Sequence, residues 1–130
     1  MSLPVSAIML GVENLDRART FYAETLGFKI DKDTPRFVSF GLGEGSAQLA
    51  LYEWEAAAQD AGVSAEGSGF RGVSFHLSPG SREAVDETIR SAAAAGGVVV
   101  KAAAAAPWGG YSGYFSDPDG YLWKVTTYAS

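Results

Sequence analysis

The chain contains no cysteine, so it forms no disulfide and offers no thiolate as a nucleophile or a metal ligand. It has a single histidine, His76, which limits imidazole chemistry to one position. No apolar run reaches the roughly 20 residues of a membrane-spanning helix, and residues 1–4 lack the basic and apolar regions of a signal peptide. We therefore expect a cytoplasmic protein that binds no membrane.

Basic residues are also scarce. Ten Lys and Arg face 15 Asp and Glu, which gives a net charge of −5. Nucleic-acid binding requires a basic face, so this balance argues against that class of partner. The chain has 130 residues, of which 47% are hydrophobic and 19% charged. These values are typical of one soluble domain, or of two small modules that share a core.

The first half of the chain predicts a strand, a helix and three further strands. Residues 5–12 are nearly all apolar, which indicates a buried strand. A helix follows because apolar residues recur at spacings of three and four, with Asn14 as N-cap and Gly27 at the end. The stripe consists of Leu15, Ala18, Tyr22 and Leu26. Three short strands are predicted at residues 28–33, 36–42 and 47–54.

The second half repeats this order after a linker. Residues 55–69 are rich in Ala, Gly and Ser and predict a linker or lid with one helical turn near 56–60. The elements expected next are a strand at 70–77, a helix at 79–95, a strand at 98–101, and a hairpin of 111–116 with 121–127. Residues 102–106 are alanines that precede Pro107, and we expect a loop there.

The repeated order predicts an internal duplication. The expected fold class is α+β, with two βαβββ modules at about 4–54 and 70–128 forming curved mixed sheets around a concave pocket. We expect the whole chain, 1–130, to form a single domain.

Two motifs carry a family resemblance. GVENLDRARTFY at residues 11–22, followed by LGF at 26–28, opens the chain, and FSDPDGYLW at 115–123 closes it. Together with the duplicated element order, they resemble the vicinal oxygen chelate superfamily, which includes glyoxalase I, bleomycin-resistance proteins, extradiol dioxygenases and fosfomycin-resistance enzymes. The resemblance covers essentially the whole chain and implies the two-module fold, but a fold alone does not specify a chemistry.

The resemblance also implies where a divalent metal would be held, on the first and last strands of each module. The corresponding positions fall on Ala7, near Leu49, near Val73, and on Lys124. Apolar side chains offer no lone pair, and a lysine ammonium only donates hydrogen bonds. Zinc or manganese sites need His, carboxylate or thiolate ligands. We therefore expect no metal and no cofactor.

Strand alternation and the resemblance together suggest a ligand cavity. Lys124 shares a face of the last strand with Leu122 and Thr126, away from a covering helix. The predicted ligand-binding residues are Met9, Leu49, Leu51, Val73, Phe75, Trp108, Tyr114 and Lys124. Trp108 lies between a proline and two glycines, where its ring suits a pocket wall. Lys124 is expected to pair with an anionic ligand group, because a bare ammonium is costly in an apolar site.

Other chemically capable residues have structural explanations. His76 alternates with Ser74 on the face of its strand away from Phe75, and we interpret it as a structural or surface histidine. Asp117 and Asp119 belong to the Asp-Pro-Asp-Gly turn. No catalytic residue is therefore assigned.

Three functions stay open. The first is a metal-independent glyoxalase/bleomycin-resistance-like protein that binds a small organic ligand in an apolar cavity, for sequestration or resistance. The second is a metal-free isomerase or lyase of the same fold that uses Lys124 or a tyrosine as acid or base. The third is an interaction module that acts through its dimer surface. We expect a homodimer, because two small modules leave open sheet edges.

Overall fold

The computed structural model describes residues 5–67, 70–71, 73–107 and 109–129. The chain divides into two compact units, Met1–Gly67 and Ser68–Ser130, and each contains one four-stranded sheet. Each unit has the strand–helix–strand–strand–strand order expected from the duplicated pattern, and the first adds a helix at its end. The predicted α+β class is therefore confirmed. Within the described ranges, no helix has both the length and the apolar character needed to cross a membrane.

The first unit follows the apolar patterns of its sequence. Its elements are β1 (Ala7–Val12), α1 (Leu15–Thr20), β2 (Lys29–Asp33), β3 (Phe37–Gly41), β4 (Gln48–Glu53) and α2 (Trp54–Ala61). The Asn14 side chain caps α1 by accepting a hydrogen bond of 2.9 Å from the backbone N–H of Arg17. After α1 the helix continues through a wider, π-helical turn at Phe21–Thr25.

The sheet of the first unit has the order β1-β4-β3-β2, with β1 and β4 parallel. One face packs on α1 and the following turn, where the Tyr22 ring lies 6.1 Å from the ring of Phe40. Buried side chains on this face are Leu10, Val12, Val38, Phe40, Leu49 and Leu51. Because side chains alternate along a strand, Met9, Ser39 and Ala50 leave the sheet on the opposite face.

The second unit repeats this plan. Its elements are β5 (Ser74–Leu77), α3 (Arg82–Ala94), β6 (Val98–Ala105), β7 (Tyr111–Ser116) and β8 (Leu122–Thr127). The sheet order is β5-β8-β7-β6, again with its first two strands parallel. The hydroxyl of Ser81 caps α3 by accepting a hydrogen bond from the N–H of Ala84 at 3.1 Å. The buried core consists of Val85, Ile89, Ala92, Phe115, Trp123 and Val125.

Gly113 permits the close packing of α3 on this sheet. A Cβ atom at this position would lie 2.7 Å from Cδ1 of Ile89 and 2.8 Å from the carbonyl oxygen of Lys101. Neither distance is compatible with van der Waals contact, so only glycine fits between helix and strand. The position also identifies the helix-packed face, which Gly113 shares with its register partner Val125.

Two alanine-rich segments differ from their predicted structure. Residues 54–61 form two turns of helix instead of a single turn near 56–60, and Trp54 starts α2 where the pattern had it end a strand. Strand β6 continues to Ala105 instead of ending at Lys101, because Ala104 and Ala105 pair with Ser112 and Tyr111 across two irregular steps. Both segments are rich in alanine, which has no apolar period that separates helix, strand and loop.

Candidate functional site

The face of the second sheet that points away from α3 carries several polar and charged side chains. We call it the Lys124 face. The strand register assigns to it Ser74 and His76 of β5, Leu122, Lys124 and Thr126 of β8, Ser112, Tyr114 and Ser116 of β7, and Val98, Lys101 and Ala104 of β6. Because side chains alternate along each strand, this set is separate from the core set that packs on α3.

A row of four side chains crosses the Lys124 face. His76 pairs with Lys124, Lys124 pairs with Tyr114, and Tyr114 pairs with Lys101. The Nζ atom of Lys124 lies 6.0 Å from the centre of the Tyr114 ring, which is within the range of a cation–π contact. Lys124 and Tyr114 are half-buried, whereas His76 and Lys101 are exposed. The row therefore combines two cations, an imidazole and a phenol on adjacent strands.

The Lys124 face is cationic in an acidic protein. None of its described strand residues is Asp or Glu, although the chain as a whole has a net charge of −5. The carboxylates nearest in sequence, Asp117 and Asp119, belong to the turn that joins β7 and β8. Asp117 is buried, and its Oδ1 accepts hydrogen bonds from the N–H groups of Asp119 and Tyr121 at 2.9 and 2.8 Å. The turn role predicted for Asp117 is therefore confirmed.

A cavity of about 320 Å³ lies at one end of this face. Ser116 and Leu122, which belong to the Lys124 face, form part of its lining together with apolar side chains from neighbouring segments. The full lining is Phe70, Arg71, Val100, Ser116, Asp119, Gly120 and Leu122. Its volume falls within the range of small-molecule sites, about 300–1,000 Å³.

The structure separates the predicted ligand residues of the second unit. Lys124 and Tyr114 are neighbours on the Lys124 face, as the alternation of the last strand indicated. Phe75 is on the other side of the sheet, where its ring lies 4.9 Å from that of Trp123. Grouping Phe75 with Lys124 is therefore wrong, because the parallel register places His76 beside Lys124. Val73 precedes β5 and is 39% exposed. Trp108 lies outside the described residues.

In the first unit the predicted residues divide in the same way. Met9 is 48% exposed and leaves β1 on the face away from α1. Leu49 and Leu51 are buried in the core on the α1 side, since they alternate with Ala50, the register partner of Met9. The prediction that groups Leu49 and Leu51 with Met9 as ligand-binding residues is therefore wrong. Ligand binding by Met9, Tyr114 or Lys124 stays a prediction.

The positions that the family resemblance assigns to metal ligands do not carry a matching donor set. Ala7 pairs with Gln48, so the neighbouring positions of β4 on its face are Gln48 and Ala50, whereas Leu49 points into the core. Gln48 Nε2 donates a hydrogen bond to Asp31 Oδ2 at 2.8 Å. The closing position is Lys124. Among the described residues, no group of three or more His, Cys, Asp or Glu is placed to hold a metal ion. This set does not fit a divalent metal.

The hydroxyl of Ser39 was not identified as a candidate from the sequence. Ser39 is 1% exposed, and its Oγ has no hydrogen-bond partner within the described part of the chain. It pairs with Ala50 on one side and Lys32 on the other, so it shares the face of Met9. Its position between Val38 and Phe40, which are core residues, was the available signal, because alternation predicts that Ser39 faces the other way.

Comparison with known proteins identifies the family. Residues 5–125 match the Glyoxalase/Bleomycin resistance protein/Dioxygenase superfamily. The chain belongs to this superfamily. No curated protein matches the chain significantly. Superfamily membership confirms the resemblance that the two motifs carried.

Solved structures of the superfamily share the fold. A glyoxalase-related enzyme from Fulvimarina pelagi is 27% identical with a TM-score of 0.83, over 95% of this chain and 86% of that one. A glyoxalase/bleomycin resistance protein/dioxygenase family enzyme from Burkholderia phytofirmans is 20% identical with a TM-score of 0.82, over 95% and 97% of the two chains. A lactoylglutathione lyase from Agrobacterium tumefaciens is 24% identical with a TM-score of 0.68, over 95% and 92%.

Proposed function

We propose that this superfamily member binds a small organic molecule on its Lys124 face without a metal ion, in the manner of a sequestering or resistance protein. The observation that carries the proposal is Lys124 itself. It occupies the position where the resemblance expects the closing metal ligand, and an ammonium group repels a divalent cation. A cytoplasmic location stays the expectation from the sequence.

The lining of the adjacent cavity supports a small ligand. Phe70, Val100 and Leu122 supply apolar surface, whereas Arg71, Asp119 and the hydroxyl of Ser116 supply charged and polar groups. A pocket that combines apolar walls with a few polar groups is typical of sites for small organic molecules. This lining supports binding by contacts between the cavity walls and the organic part of the ligand, and such contacts require no metal.

A second candidate function is a metal-free isomerase or lyase. The row on the Lys124 face favours it, because His76 and Tyr114 flank the ammonium of Lys124 on adjacent strands. An imidazole and a phenol beside a cation are the groups that general acid–base catalysis uses. Turnover of the bound compound would distinguish this function from sequestration.

The test is to identify what the protein retains on purification. Tag-free protein is denatured, and the released small molecules are compared by mass spectrometry with those from Leu122→Trp, which fills the cavity, and from Val63→Trp, an exposed control in the first unit. We expect an organic molecule retained by the wild type and the control but lost from Leu122→Trp, with the melting transition unchanged. The same molecules in all three samples would contradict the proposal.

A further inference from the structure

We infer that the Lys124 face selects organic anions, with Lys124 binding the anionic group and the cavity beside it holding the apolar body. The inference rests on the proposed function, since it names the class of ligand for the same site. It adds Lys101 as a second cation of that site. It also predicts that the site prefers a negatively charged ligand to a neutral one, which can be measured.

The charge pattern of the Lys124 face is the first argument. Lys101 and Lys124 flank Tyr114 in one row, and no described strand residue on this face is acidic. Two of the four lysines in the chain are therefore concentrated on one face of one sheet. Such a patch attracts a small anion and raises its local concentration, even in a protein of net negative charge.

The surroundings of Lys124 are the second argument. Its side chain is half-buried, and within the described part of the chain it forms no ion pair and no hydrogen bond. The contact at 6.0 Å with the Tyr114 ring is the interaction that the described residues provide. This contact supplies no acceptor for the N–H donors of the ammonium, and the described residues offer none in its place. An anionic ligand group would supply those acceptors.

The position of the cavity is the third argument. Leu122 lines the cavity, and Lys124 is two residues further along the same strand on the same face. Two residues of a strand span roughly 7 Å. A molecule whose apolar body contacts Leu122 and Phe70 therefore places a substituent of ordinary length within reach of the Lys124 ammonium. This geometry fits an organic acid with an aryl or similarly apolar body.

Two fluorescent probes that differ in charge test the inference directly. 8-Anilinonaphthalene-1-sulfonate is an anion, and N-phenyl-1-naphthylamine is the neutral molecule without the sulfonate. Dissociation constants are measured from the fluorescence of each probe with wild type, Lys124→Met and Lys101→Met. We expect Lys124→Met to weaken binding of the anion about tenfold, because one charged hydrogen bond is lost. Binding of the neutral probe is expected to stay within about twofold, since methionine retains the apolar stem.

The control is Lys29→Met, which removes an exposed lysine from β2 of the first unit. This control is expected to change neither dissociation constant. Lys101→Met, in contrast, is expected to weaken binding of the anionic probe several-fold. Equal effects of Lys124→Met on both probes would overturn the selection for anions while the proposed binding function stands. Failure of wild type to bind either probe would overturn both. Loss of binding together with a lowered melting temperature would also overturn the inference, because Lys124 would then be structural.

Discussion

His76 and Lys124 are register partners in the parallel strands β5 and β8, so their side chains leave the sheet side by side. The Oγ atom of Ser74 lies 3.3 Å from Nε2 of His76 on the same strand face. Together with Tyr114, this pairing concentrates the polar groups of the second sheet on one surface. Among the described residues, no group of three or more His, Cys, Asp or Glu on this surface is placed to hold a metal ion.

Replacement of Gly113 is expected to destabilise the second unit. The Cβ of Gly113→Ala would overlap Cδ1 of Ile89 and the carbonyl of Lys101. Overpacking of this kind costs about 1–3 kcal/mol. Gly41→Ala is the control, because a Cβ there meets nothing within 4 Å. Urea denaturation checks both, and equal free energies of unfolding for Gly113→Ala and wild type would show that helix and sheet can separate without cost.

The order of elements follows from the sequence because apolar residues alternate or recur with clear periods, and because Gly and Pro mark the turns. The face of Lys124 on the last strand was predictable for the same reason. The neighbours of Lys124 were not, since they depend on the register between β5 and β8, which motif spacing does not determine. The predicted ligand-binding set grouped Phe75 with Lys124, whereas the backbone pairing places His76 beside Lys124.

Removal of the Ser39 hydroxyl is expected to stabilise the first unit. Ser39 Oγ is buried without a partner among the described residues, and such a group carries an uncompensated desolvation cost of about 1–3 kcal/mol. Ser39→Ala should therefore raise the free energy of unfolding by about 1 kcal/mol. Ser46→Ala, at an exposed serine, should stay within about 0.5 kcal/mol of wild type. A less stable Ser39→Ala would show that the hydroxyl is satisfied, for example by water.

Tyr111 is expected to titrate above its ordinary range. Its hydroxyl donates a hydrogen bond of 2.6 Å to Asp86, and this bond raises the pKa of Tyr111, with burial adding to the effect. Because the folded-state pKa is the higher one, the stabilisation is fully present below the unfolded-state pKa near 10 and is lost as pH rises through the folded-state value. The difference between the ultraviolet titration curves of wild type and Tyr111→Phe gives the titration midpoint of Tyr111. Asp86→Ala should move its midpoint back toward 10, and an unchanged midpoint would exclude the bond as the cause.

A homodimer is expected in solution, because β6 is an edge strand with three exposed valines. Val98, Val99 and Val100 are 59%, 44% and 52% exposed. The double variant Val98→Lys/Val100→Lys should be monomeric by light scattering at micromolar concentration. Val63→Lys, at a valine 64% exposed outside the sheet, should leave the dimer intact. A monomeric wild type would contradict the prediction.

Metal content is the decisive measurement, because the positions where the family resemblance expects ligands fall on Ala7, near Leu49, near Val73, and on Lys124. Elemental analysis by mass spectrometry is performed on tag-free protein, as purified and after dialysis against a chelator. We expect no zinc, nickel, manganese or iron near one ion per chain in either sample. One ion per chain that survives the chelator would contradict it.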